Sequence, residues 1–348
     1  MSAEVAPTAA LAHAIRRLAQ HHALTADEAG AAFDVVMSGA ATPAQIGALL
    51  AALRVKGETA DEVAGAARAL RAAMVRLPAD EPEMLVDTCG TGGGAVGTFN
   101  ISTAAALVAA GAGVRIAKHG NRSFTSRSGS ADVLEALGVA IDVPVERMAT
   151  ALADAGLVFM FAPLLHPAMR HVGPVRRELG IPTVMNIIGP LANPAGAGRQ
   201  VVGVAEAGRL PLIAGALKAL GSVHALVVHG EPGLDEISPL GPTRVVEIRA
   251  GAESTWTIDP AALGLPTVTA EELAGGEPGE NAALIEAVLA GGGPVGARVA
   301  VALNAAAALY VGGVATSYAA ALERAQAELA SGSGRQALER LRAAMARV

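Results

Sequence analysis

Beyond Pro78 the sequence alternates short apolar runs, rich in β-branched residues, with segments of helical period, and this alternation restricts the fold more than any other feature. Met84–Asp87, Val114–Ala117, Leu157–Ala162, Gln200–Ala205 and His224–His229 read as strands, while Val145–Ala155 and Leu210–Leu220 carry apolar residues at helical spacing. Parallel strands need crossovers of a dozen or so residues, which helices supply, so the pattern implies a mostly parallel central sheet covered by helices. Thr243–Arg249 with Ser254–Asp259 reads as a smaller antiparallel piece. Helices resume from Glu280 to Arg347, with Ser317 as a cap and Ser331-Gly332-Ser333-Gly334 as a joint. No repeat of about 20–50 residues is present.

The stretch before Pro78 is different. Residues 8–76 read as four short helices, with Leu11, Ile15 and Leu18 forming one apolar stripe and Ile46, Leu49, Leu50 and Leu53 another. Thr25 with Glu28 and Thr59 with Glu62 have capping-box spacing, and Thr42-Pro43 is an N-cap followed by a first-turn proline. Gly39 and Gly57 sit where C-terminal caps belong. The fold class is therefore α/β, a small all-helical domain joined to a large α/β domain, and 348 residues suffice for two cores.

Composition closes off other classes. Hydrophobic residues make up 52% and charged residues 17%, which excludes intrinsic disorder. The net charge of −6 and pI near 5.8 argue against a general binder of nucleic-acid backbone. A lone cysteine, Cys89, permits no intrachain disulfide and suits a reducing compartment. Glu4 stands where a signal peptide would carry basic residues, and the longest apolar stretch, Val299–Ala315, is alanine-rich and holds Asn304, so it reads as a buried helix. The expectation is a soluble, cytoplasmic protein without a membrane partner.

The chemistry concentrates where strands end, which is where open α/β sheets collect ligands. After the first strand comes Cys89–Thr103 (CGTGGGAVGTFNIST), five glycines ahead of a helix N-terminus, where backbone N–H groups can converge on an anion and Asn100, Ser102 and Thr103 add donors. The second such run, Lys118–Ser130 (KHGNRSFTSRSGS), reads as a loop with three cations and five hydroxyls, a composition suited to a phosphate or diphosphate. Asp235-Glu236, in the turn-rich stretch Gly233–Gly241, is a natural Mg²⁺ site, because Mg²⁺ takes one or two carboxylates and shares its shell with phosphates. His166 and His171 lie in a segment read as mostly loop, and Arg176 and Arg177 in the first turn of a short helix opened by Pro174. Either arginine can fork a carboxylate or form a surface ion pair.

Taken in order, these strings resemble the anthranilate phosphoribosyltransferases of tryptophan biosynthesis over essentially the whole chain. Beyond the loops named, the resemblance rests on Pro43–Gly47 (PAQIG), Ser128–Asp132 (SGSAD), His166–Arg170 (HPAMR), Asn186–Pro194 (NIIGPLANP), Gly233–Glu236 (GLDE) and Glu280–Leu289 (ENAALIEAVL). It implies a helical domain of residues 1–77 joined by helices from about 168–191, and an α/β domain of residues 78–167 and 192–348. Anthranilate and 5-phosphoribosyl 1-diphosphate (PRPP) would meet at the hinge, and two chains would pair through their helical domains. By position, the resemblance assigns PRPP to Gly90, Gly93, Gly94, Thr98, Asn100, Ile101, Ser102, Thr103, Lys118, His119, Gly120, Asn121, Arg122, Ser123, Phe124, Thr125, Ser126 and Ser130. Ser102 with Glu236, and Asp235 with Glu236, would hold two Mg²⁺ ions; Gly90, Asn121 and Arg176 would contact anthranilate. Lys118 would stabilise the leaving group, and no general base is assigned.

One departure stands out: the family usually carries Asp where this chain has Gly94. Two alternatives remain: a pyrimidine nucleoside phosphorylase, which shares the two-lobe architecture, and a non-enzymatic relative that binds nucleic acid. The Asp235-Glu236 pair and the KHGNR string favour the transferase over the first, and the acidic pI weighs against the second.

Overall fold

The structure, a computed structural model, describes residues 8–123 and 127–346. The chain divides into two units: one of residues up to Val75 with Pro163–Pro194 and Pro211–Gly221, the other of Arg76–Ala162, Ala195–Leu210 and the remainder from Ser222.

In the first unit, helices Ala9–Ala19, Ala26–Met37, Pro43–Lys56 and Ala60–Ala73 form where the apolar stripes predict them. Thr25, Thr42 and Thr59 each close a full capping box, with Glu28, Gln45 and Glu62 as reciprocal partners. Glu62 does more. Fully buried, it accepts from Thr59 N (2.8 Å), Leu24 N (2.9 Å) and Lys56 Nζ (2.9 Å), so a capping residue also ties down the preceding helix connections. Helices Ala26–Met37 and Ala60–Ala73 cross at Gly30 and Gly65, where a Cβ on Gly65 would run into the backbone of Ala26.

Two expectations about this unit are corrected. Met169–Leu179 is one helix running through Pro174, so His171 is helical and Arg176 and Arg177 fall in its last turn. Burial of Val172 and Val175 on one face sustains the helix past the proline, whose missing N–H removes one internal bond. Helix Leu210–Ala219 also groups mainly with this unit rather than with the α/β part, because Gly215 lets it approach Ala60 to where an added Cβ would stand at 2.9 Å.

The second unit is a seven-stranded sheet in the order β3-β2-β1-β4-β5-β6-β7. Its strands are β1 (Val86–Gly90), β2 (Ile116–Gly120), β3 (Leu157–Phe161), β4 (Arg199–Gly203), β5 (His224–Gly230), β6 (Thr243–Arg249) and β7 (Ala252–Ile258). The first five in spatial order are parallel and the last two antiparallel, as the sequence pattern predicts. β1 and β2 run later than predicted: Gly90, Lys118, His119 and Gly120 belong to strands, not loops. The apolar pattern breaks there because Asp87, Thr88 and Lys118 are polar, yet all three are buried and most of their polar atoms find partners inside the unit.

Helix Val295–Gly312 is long and apolar enough to cross a membrane by length and composition, but most of it is buried in this unit, beside helix Ile101–Gly111 and strand β4. Helices Tyr318–Ser331 and Ser333–Met345 meet at Gly332 (φ +74°), the predicted joint, and Ser317 caps the first by accepting from Ala320 N.

Candidate active site

The chain leaves β1 toward β2 and β3 on one side, then returns to β4 on the other. The crevice outside the carboxyl ends of β1 and β4 is therefore the topological switch point, where such sheets bind ligands. The glycine loop leaves β1 there and the Asp235-Glu236 turn comes down onto it. Gly203, the last residue of β4, has no room for a side chain against the Asp235 carbonyl, and a Cβ on Gly90 would stand 2.8 Å from Asp235 Oδ2. Glycine at these two positions lets the acidic turn reach the strand ends.

Both carboxylates are held by main-chain donors. Gly92 N–H donates to Asp235 Oδ2 (2.9 Å), and Ser102 N–H, in the first turn of helix Ile101–Gly111, donates to Glu236 Oε1 (3.1 Å). The helix end supplies favourable partial charge, but burial dominates. It raises the Asp235 carboxyl above its ordinary value, and burial together with the neighbouring Asp235 charge pushes Glu236 up to about 8. The turn is fixed from below by Asn304 on the core helix: its Oδ1 accepts from Ile237 N and its Nδ2 donates to Ile237 O, both at 2.9 Å. A residual cavity of about 10 Å³ lies beneath, lined by Thr88, Ser102, Glu236 and Asn304 among others, so the acidic turn rests on solid packing.

Lys118 is the cation of this crevice. Its Nζ donates to Thr88 O, to Thr88 Oγ1 (3.3 Å) and to Ser102 Oγ (3.3 Å), and among the described residues it makes no ion pair. Burial lowers its pKa, opposed by the charges of Asp87, Cys89 and Glu236. Asp87 is fully buried and accepts from His119 N (3.1 Å), which fixes the end of β2. Burial raises the Cys89 thiol well above its ordinary value.

The second loop is shaped by Asp132, a residue to which the sequence reading attached no role. Its carboxylate accepts from Ser123 N (3.0 Å), Gly129 N (2.9 Å) and Arg122 Nη1 (2.9 Å). Arg122 also pairs with Glu135 and lies over the Phe161 ring at 5.6 Å, so its guanidinium is already committed. Ser130 Oγ donates to Asn121 O (3.4 Å), and Asn121 Oδ1 accepts from Arg122 N (2.7 Å). Gly93 is exposed, Gly94 and Thr98 are half-buried, and Ile101 and Thr103 are buried, so only the main chain of Ile101 can serve a ligand. Phe124, Thr125 and Ser126 lie outside the described residues. In the helical unit Arg176 is half-buried and, among the described residues, has neither a hydrogen-bond acceptor nor an ion-pair partner; burial alone lowers its pKa. Arg177 is exposed.

Comparison with known proteins decides what such a crevice belongs to. Residues 12–74 match the helical bundle domain of a glycosyl transferase family, and residues 82–335 match the a/b domain of the same family. The chain is 52% identical over 336 residues to anthranilate phosphoribosyltransferase of Anaeromyxobacter dehalogenans, covering 95% of this chain and 98% of that one. The chain belongs to the anthranilate phosphoribosyltransferase family. Among solved structures of this family, the Thermus thermophilus enzyme superposes with a TM-score of 0.89 at 44% identity, covering 95% of this chain and 99% of that one. The Saccharomyces cerevisiae enzyme in complex with PRPP and Mg has a TM-score of 0.86 at 29% identity, covering 97% and 98%.

Gly94, where the resemblance leads one to expect Asp, faces the acidic turn. A Cβ there would stand 3.1 Å from Asp235 Oδ1 and 3.2 Å from Gly233 O, so an aspartate would bring a further carboxylate against the acidic turn. The residues the sequence reading missed are Asp87, Asp132 and Asn304. Only Asp132 left a local signal, its three-residue spacing from Gly129 at the start of helix Ser130–Ala136.

Proposed function

We propose that this phosphoribosyltransferase moves the phosphoribosyl group of PRPP onto the amine of anthranilate, releasing diphosphate, as a step of tryptophan biosynthesis. The observation that carries the reading is the crevice at the β1/β4 switch point. There a glycine loop, a buried lysine and two adjacent half-buried carboxylates converge in a chain related over nearly its whole length to anthranilate phosphoribosyltransferases.

The acidic turn suits Mg²⁺. The two half-buried carboxyls have raised pKa values, Glu236 up to about 8, so a bound cation would favour their ionised form. An ion held by this turn would complete its shell on phosphate oxygens. Asp235, Glu236 and Ser102 are the residues that would hold the metal. Bound there with PRPP, Mg²⁺ would neutralise charge on the diphosphate. The yeast relative solved with PRPP and Mg supports this assignment.

The chain's own groups do the rest. Loss of diphosphate leaves oxocarbenium character on the ribose and negative charge on the leaving oxygen; Lys118 and the N–H groups of the glycine loop stabilise that charge where it develops. The anthranilate amine is neutral at pH 7 and attacks C1 without a strong base. Arg176, half-buried and without a partner among the described residues, is the group that would take the anthranilate carboxylate. The two chains of a homodimer pair through their helical units, where Val55, Leu164 and Ile181 are exposed apolar residues.

Anthranilate fluorescence followed with PRPP and a Mg²⁺ titration tests the reading. A decay that requires all three components is expected. Folded protein that consumes no anthranilate at any Mg²⁺ concentration would overturn it, and phosphorolysis of thymidine would redirect the assignment to a nucleoside phosphorylase.

A further inference from the structure

The Glu280–Leu289 string has no part in the chemistry above, yet its second residue reaches both anion-binding loops. Asn281 is 3% exposed, in the second turn of helix Pro278–Leu289. Its Oδ1 accepts from Gly276 N (2.7 Å), and its Nδ2 donates to Asn100 Oδ1 (3.0 Å). Asn100 Nδ2 in turn donates to Ser128 O (3.0 Å), while Ser128 Oγ donates back to Asn100 Oδ1 (3.2 Å). Asn100 opens the helix on the glycine loop, and Ser128 belongs to the second loop.

This chain of hydrogen bonds has a direction. A backbone N–H can only donate and a backbone carbonyl can only accept. Gly276 N–H at one end and Ser128 C=O at the other therefore fix the orientation of both amides between them. The surrounding segment follows the same course. Phe99 N–H donates to Leu273 O (2.9 Å), Gly275 N–H donates to Gly97 O (3.3 Å), and Gly275 has no room for a side chain against Thr98 O. On the other loop, Arg127 Nε donates to Glu277 Oε1 (3.0 Å).

We infer that Asn281 is a positioning residue for PRPP, holding the glycine loop and the second loop in register through Asn100 while touching no substrate itself. The inference rests on the PRPP reading of these loops. One ligand molecule must be met by donors from both loops at once, and a shift of either weakens every bond the other makes.

Asn281→Asp tests it with little change of volume. The carboxylate cannot donate, so Asn100 must turn its amide nitrogen toward residue 281 and its oxygen toward Ser128 O, setting acceptor against acceptor. Asn281→Ala removes the link without adding charge. For both variants, calorimetric titration with PRPP and Mg²⁺ should show binding weakened about tenfold, the scale of one lost buried hydrogen bond. The KM for PRPP should rise to match, with the KM for anthranilate within about twofold of wild type. A lowered melting temperature with unchanged PRPP affinity, or folded variants that bind PRPP within twofold of wild type, would overturn the role of Asn281. Wild-type protein that fails to bind PRPP would instead overturn the functional reading beneath it, an outcome seen before any variant is compared.

Discussion

At one end of the sheet, where β5 begins, the carboxylate of Glu247 is surrounded by donors: His224 Nε2 (2.8 Å), Trp256 Nε1 (2.8 Å) and Tyr310 Oη (2.9 Å). At the other end, beyond β1 and β4, Asp235 and Glu236 lie side by side, the first accepting from Gly92 N–H and the second from Ser102. Both ends remove ionisable groups from water, nearly fully at Glu247 and partly at Asp235 and Glu236. The first satisfies its carboxylate from within the protein and becomes a lock between β5, β6, β7 and the core helix. The second holds two adjacent carboxyls whose ionised form burial disfavours and a bound cation would stabilise. That contrast separates a structural cluster from a binding site more sharply than burial or charge taken alone.

The two ends also respond to pH with opposite sign. Burial lowers the His224 pKa below its ordinary value against the pull of Glu247, so its contribution to stability is present above the unfolded value near 6.5 and is lost as pH falls. Glu236, raised to about 8, contributes stability present below the unfolded value of 4.5 and lost as pH rises toward 8.

The largest effect is expected from Asp235→Asn combined with Glu236→Gln. Mg²⁺-dependent turnover should fall by at least about a thousandfold, while the ligand-free protein melts higher at pH 8 than wild type; a variant that keeps full activity would break the comparison. Glu247→Ala should do the reverse, costing about 3–5 kcal/mol of unfolding free energy and leaving both KM values unchanged; denaturant unfolding beside steady-state kinetics reads both. Arg176 is partly removed from water and has no partner among the described residues. Arg176→Ala should raise the anthranilate KM by about 10–150-fold, as a charge-assisted hydrogen bond is worth about 1.5–3 kcal/mol; an unchanged KM would move the carboxylate site, with Arg177 next to test. The smallest change is Gly94→Asp, which adds a carboxylate beside Asp235 and should shift the Mg²⁺ optimum or PRPP affinity a few-fold, on the scale of about 1 kcal/mol. Identical Mg²⁺ and PRPP dependence would show that residue 94 does not tune this end.

Much of this was legible in the sequence, unevenly and for physical reasons. Capping boxes at Thr25 and Thr59 are local, so the helices they open start where predicted. The glycine loop and the Asp235-Glu236 turn were visible because their residue types are unusual together. The carboxyl ends of β1 and β2 were not, since Lys118 and Asp87 interrupt the apolar pattern with charges that only the folded neighbours accommodate. Pro174 and Gly173 hid a helix that tertiary burial of Val172 and Val175 maintains. The parts played by Asn281 and Asn304 depend on contacts 181 and 67 residues away, which no local pattern announces.

The most direct test of the central claim, that the acidic turn awaits a cation and a phosphorylated ligand together, is thermal unfolding of the wild-type protein near pH 7.5. It should be run with Mg²⁺ alone, PRPP alone and both. The account predicts a large rise only with both, near 2.7 kcal/mol of added stability at a ligand concentration about a hundredfold above Kd, which is a shift of several degrees. PRPP that stabilises equally well with all divalent ions chelated would contradict it.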